Sequence, residues 1–110
     1  MAEFIKGDIV VVPFPFSNLS EIKRRPAFVV NKLTGDDIIL CQITSQTIKD
    51  KYSISLKEMD FALGNLSISS NIRPNRIFTA DKNIILYKVG ILKENKIKEV
   101  IKKIVEIIKS

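Results

Sequence analysis

The stretch Lys6–Val30, KGDIVVVPFPFSNLSEIKRRPAFVV, decides how the rest of the chain is read. Two apolar runs within it, Ile9–Val12 and Ala27–Val30, are rich in β-branched residues and predict buried strands. Between them lies a loop of about a dozen residues, long for a connection in a small domain. It carries Ser17, Asn18, Ser20, Glu21, Lys23, Arg24 and Arg25, and Pro26 opens the second strand. A polar loop held between rigid strands is where binding and catalysis concentrate. Pro13 and Pro15 cannot donate to a ladder, so pairing should stop there or survive only on an edge. Phe14 and Phe16 have two readings. One of them packs inward to anchor the loop, or they form a platform on which bases stack, with Phe16 the more exposed.

Outward from this stretch the chain reads as further short strands. The second strand covers Pro26–Lys32, and Thr34–Asp37 carries the chemistry of a hairpin turn. Ile38–Thr44 predicts a third strand ending at Ser45-Gln46-Thr47. Tyr52–Leu56 and Leu66–Ser69 alternate apolar and polar, the period of half-buried strands, the latter running toward Ile72. Gly64 closes a polar connection between them. Arg73-Pro74-Asn75-Arg76 should break the run, since proline restricts its predecessor and lacks a donor. Ile77–Thr79 is one more short strand or a turn, and Ile84–Leu92 a last strand. From about Glu94 the period changes. Ile97, Val100, Ile101, Ile104, Val105 and Ile108 recur at spacings of three and four, one stripe of a core-facing helix. Lys96, Lys98, Lys102, Lys103 and Lys109 form its solvated face, and Asn95 is the available cap. The pattern predicts one domain over residues 1–110, mainly β, a small barrel with a C-terminal helix.

Composition excludes several chemistries. The 18 Lys and Arg against 12 Asp and Glu give a net charge of +6, a surface suited to polyanions. There is no histidine, which removes His-centred triads and His-based metal sites. Catalysis would have to run on Arg, Lys, Thr, Ser, Tyr or carboxylates, with no metal and no cofactor. The single cysteine, Cys41, permits no internal disulfide and reads as a small core residue in a reducing compartment. No apolar run approaches the ~20 residues that span a bilayer, and no signal-peptide pattern opens the chain. A cytoplasmic protein without membrane contact is expected.

If strands two and three form a hairpin, the start of one and the end of the other lie side by side. Arg25 and Thr44 then become neighbours across the ladder. An arginine fork beside a hydroxyl and amide donors suits a tetrahedral or pentacoordinate phosphate.

At these residues the chain resembles the MazF/PemK family of toxin endoribonucleases from type II toxin–antitoxin systems. The likeness begins at Gly7-Asp8-Ile9-Val10 and continues through Ser20-Glu21-x-Lys23-x-Arg25-Pro26-Ala27. Ile43-Thr44-Ser45-Gln46 resembles the second motif of the family. Ile72-Arg73-Pro74 through Phe78-Thr79-Ala80-Asp81-Lys82 resembles the third. The resemblance implies a homodimer of SH3-like barrels, the MazF/CcdB-like toxin fold, that cuts single-stranded RNA without a metal. It implies attack of the ribose 2′-OH on the adjacent phosphate, and a cognate antitoxin that covers the basic groove. By position, Arg25 and Thr44 match the catalytic pair. Glu21 is the candidate base, or else an ion-pair partner of Lys23 or Arg24. Phe16, Asn18, Ser20, Lys23, Arg24, Ser45 and Gln46 would position phosphates and bases. Arg73 and Arg76 would line the groove, or are simply surface turn residues. Two other classes compete: a gyrase-poison-type binding toxin, which lacks the Arg/Thr pair, and a small-barrel nucleic-acid-binding module.

Overall fold

The β-branched run after Asp8 lies inside a seven-stranded antiparallel sheet with strand order β4-β6-β3-β2-β1-β7-β5. The computed structural model describes residues 3–15 and 22–110. Its strands are β1 (Asp8–Pro15), β2 (Ile22–Lys32), β3 (Asp37–Thr44), β4 (Ile54–Leu56), β5 (Phe61–Gly64), β6 (Ser70–Asp81) and β7 (Tyr87–Leu92). Helix α1 (Glu94–Lys109) ends the chain. Among the described residues no helix is long and apolar enough to cross a membrane.

Alternation along the strands builds two cores, one on each face of the sheet. Ile9, Phe28, Cys41, Ile43 and Ile72 point to the face covered by α1, where Val100 and Ile104 meet them. Val10, Val12, Ala27, Val29, Ile38 and Leu40 point to the other face. That second face is concave. Phe14 on β1 touches Phe78 on β6, three strands away in the order, with ring centroids 5.5 Å apart. Only a sheet curled on itself brings those two together. Gly7 lets α1 approach the sheet closely: it sits at φ 97°, and a Cβ there would run into the Ile97 side chain.

The first two strands are longer than the sequence suggests, and the loop correspondingly shorter. β1 pairs with β2 through Pro13↔Arg24 and Pro15↔Ile22, so Lys23, Arg24 and Arg25 lie on a strand rather than in a loop. The prolines are tolerated because β7 pairs with β1 only as far as Val11. Beyond that point β1 has a free side, the edge position that proline accepts.

Other departures have equally local causes. β5 was not expected, because only Phe61 in it is buried; it closes against β7 with Gly64 opposite Gly90. Residues 66–69 do not form a strand despite their alternation. β6 continues through Pro74, where a break was expected. Cys41 pairs with Ile77 and the next residue, Gln42, pairs with Arg73, so residues 74–76 bulge out of an otherwise intact ladder. The last strand starts at Tyr87 rather than Ile84, after a 3-10 turn at Lys82–Ile84. Lys96 is no part of a solvated face: it is buried, 3.1 Å from Glu99 and 3.6 Å from Asp60. The helix is not capped by Asn95, since Lys93 holds the N-cap position without a side-chain bond.

Candidate active site

The β2–β3 ladder runs toward the pair selected from the sequence. Its pairs run through Phe28↔Cys41 and Ala27↔Gln42. Arg25 and Thr44 each lie two residues beyond the last of these pairs, on neighbouring strands. Both fall on the concave face, in line with Ala27 and Gln42. Val12, paired to Arg25 from the other side, ends the apolar floor there. Arg25 is half-buried and Thr44 is 5% exposed. A guanidinium and a hydroxyl thus sit where the apolar interior gives way to solvent. Low dielectric on one side strengthens what they can do to a bound anion.

Thr44 is held by the turn that follows it. Its Oγ1 accepts from the Gln46 backbone N–H at 3.2 Å, so its own proton is left to donate. The Gln46 carbonyl in turn accepts from Asn71 Nδ2 at 3.1 Å. Asn71 lies opposite Thr44 on β6, so the turn carrying Ser45 and Gln46 is pinned at both ends. Ser45 and Gln46 themselves are exposed.

The remaining expected residues divide between the two faces. Lys23 and Arg24 are exposed on the β1–β2 ribbon. Lys23 alternates with Arg25 toward the concave face. Arg24 alternates with Pro26 toward the other, where Ile43, Ser45 and the Leu66–Ile68 segment close a cleft of about 220 Å³ that Lys23 and Arg25 also line. Arg73 is opposite Gln42, and its guanidinium lies 3.5 Å from Asp50 Oδ2. The Asp50 carboxylate also accepts from the Ser53 and Tyr52 backbone N–H groups, each at 2.9 Å. Those two amides, and then Arg73, hold its carboxyl below the usual range. Arg76 stands exposed in the β6 bulge. Phe16, Asn18, Ser20 and Glu21 lie outside the described residues. Phe14 meets Phe78 edge to face.

Gln42, Asn71 and Asp50 join this site without having been singled out in the sequence. An amide inside an apolar strand, as in IILCQIT, is a signal that could have found Gln42. Among the described residues no three His, Cys, Asp or Glu side chains come together as a metal site.

A family model for PemK-like, MazF-like toxins of type II toxin–antitoxin systems matches residues 5–108. The chain belongs to that family. No curated protein matches it by sequence. The toxin fold recurs in solved structures. MazF from Deinococcus radiodurans superposes with a TM-score of 0.77 at 18% identity, each chain covered over 100%. A MazE–MazF complex from the same organism gives 0.75 at 18% identity, covering 96% of this chain and 95% of that one. An endoribonuclease in complex with its cognate antitoxin, from a mycobacterial species, gives 0.71 at 12% identity, covering 94% and 96%. At such identities these likenesses establish the fold of this toxin-family chain, a curled β-sheet closed by a C-terminal helix.

Proposed function

We propose that the chain is a sequence-specific endoribonuclease that cuts single-stranded RNA without a metal ion or other cofactor. The observation that carries this reading is the β2–β3 ladder, whose last pair, Ala27↔Gln42, leaves Arg25 and Thr44 two residues further along neighbouring strands. Membership of the toxin family supports it. So does the likeness to a fold found in endoribonucleases, one of them bound to its antitoxin. In the reaction the ribose 2′-OH attacks the neighbouring phosphorus, the O2′–P bond forms and the P–O5′ bond breaks. One fragment ends in a 2′,3′-cyclic phosphate and the other begins with a 5′-OH. Arg25 holds the charge that builds on the pentacoordinate phosphorus, and Thr44 donates to a non-bridging oxygen. Glu21 takes the 2′-OH proton, and the departing 5′-oxygen receives one from Arg25 or solvent. DNA lacks the nucleophile and is spared.

The protein works in the cytoplasm as a homodimer, neutralised by a cognate antitoxin whose acidic segment covers the basic groove. The test is cleavage of a mixed-sequence RNA and its DNA counterpart in EDTA, with product ends mapped. RNA-only cuts ending in cyclic phosphate are expected. Arg25→Ala and Thr44→Ala should each slow them about a hundredfold or more. Intact RNA, from folded protein free of antitoxin, would overturn the reading.

A further inference from the structure

The concave face holds a second feature beside Arg25 and Thr44. Phe14, Gln42, Asn75, Arg76, Ile77 and Phe78 line an open recess of about 500 Å³, within the span of roughly 300–1,000 Å³ usual for small-ligand sites. Gln42 is its floor, the edge-to-face pair of Phe14 and Phe78 its wall, and the β6 bulge its rim. The rim exists only because residues 74–76 are extra to the ladder. Among the described residues, three buried polar side-chain atoms have no hydrogen-bond partner: Asp8 Oδ1, Gln42 Oε1 and Arg73 Nε. Of these, Gln42 Oε1 belongs to a residue that lines the recess; Arg73, its cross-strand partner, does not line it. Folded proteins rarely leave such an atom unpaired, so the Gln42 oxygen calls for a partner.

We propose that the recess seats one purine base of the RNA beside the phosphate being cut, and that Gln42 and Arg76 select it. The inference rests on the nuclease reading above. A glutamine amide carries a donor and an acceptor on one planar edge, and turning it into the recess would pair its orphaned oxygen. Amide and guanidinium forks both match the N7 edge of purines, with N6 of adenine or O6 of guanine beside it; pyrimidines offer no such edge. The aromatic wall supplies a face for stacking. Gln42 and Thr44 are two residues apart on one face of β3, roughly 7 Å. A base over Gln42 therefore belongs to a nucleotide adjoining the phosphate at Thr44.

A randomised RNA pool, cut by wild type, Gln42→Leu and Arg76→Ala and sequenced at the new ends, tests this. Wild type should favour purines at one position flanking the cut. Each variant should weaken that preference about tenfold and leave the other positions as they were. Every preference is a ratio between RNAs cut by one preparation, so loss of folded protein cancels. A wild type that cuts without a flanking purine preference, or variants whose profiles match wild type at every position, would overturn the inference and leave the nuclease standing. A wild type that cuts no RNA would remove both.

Discussion

Cys41 shows how completely one residue can be governed by its surroundings. It is 0% exposed, and burial pushes its thiol from an ordinary 9.0 up to about 12. A folded-state value above the unfolded one means that the folded protein holds the proton more tightly. Stability from this group is therefore full below about pH 9 and drains away as pH rises toward 12. Urea midpoints measured at pH 8 and at about pH 10.5 should fall further for wild type than for Cys41→Ala. Iodoacetamide at pH 8 should leave the folded protein unlabelled and label it in urea, since the thiolate is the nucleophile. Labelling of the native protein at the denatured rate would contradict the burial described. Residue chemistry at the candidate site follows the same logic: Thr44, at 5% exposure, keeps one hydrogen bond to Gln46 and one proton to give.

Helix α1 separates residues of one stripe into those that hold the fold and those that do not. Ile104 is 5% exposed against the sheet and Ile108 is 70% exposed. Ile104→Ala should cost about 2–5 kcal/mol in urea denaturation, whereas Ile108→Ala should stay within about 0.5 kcal/mol. Equal losses would mean that the helix docks in another rotation. Spacing alone found this helix, because a long amphipathic segment repeats its signal over several turns. Periodicity also found β1, β2 and β3, and the β2–β3 pairing that it implied is present as far as Ala27↔Gln42. What periodicity could not find is instructive. The three-residue bulge in β6 is odd in length, so it inverts the alternation: Ile72 faces the helix side, yet Phe78, also an even position, faces the concave side. An inversion of that kind looks like a break in a linear reading. β5 escaped because one buried residue gives no period at all. Lys96 escaped because nothing in sequence spacing tells that Asp60 will lie 3.6 Å away.

For the whole molecule, the net charge of +6 sets the conditions under which any polyanion is met. RNA binding should weaken steeply as salt rises, through release of condensed counterions. If Arg24 contacts one phosphate, Arg24→Ala should lower the magnitude of the slope of log K against log salt by about 0.7, the single-strand value for one contact. Filter binding of a non-cleavable RNA across a salt series would show this, and an unaltered slope would place Arg24 off the RNA path. The curl of the sheet adds geometry to that charge, since it carries Phe14 of β1 over to Phe78 of β6 and encloses Gln42 between them. The bulge of residues 74–76 has one more consequence. Arg73 and Ile77 are already in register with consecutive residues of β3 and already point to opposite faces. Excising the three residues between them would close the ladder without a slip. Asn75 and Arg76 of that segment are exposed, whereas Pro74 is buried and ties it to the fold. Such a segment could change in length and chemistry while the strand pairing on either side of it is kept.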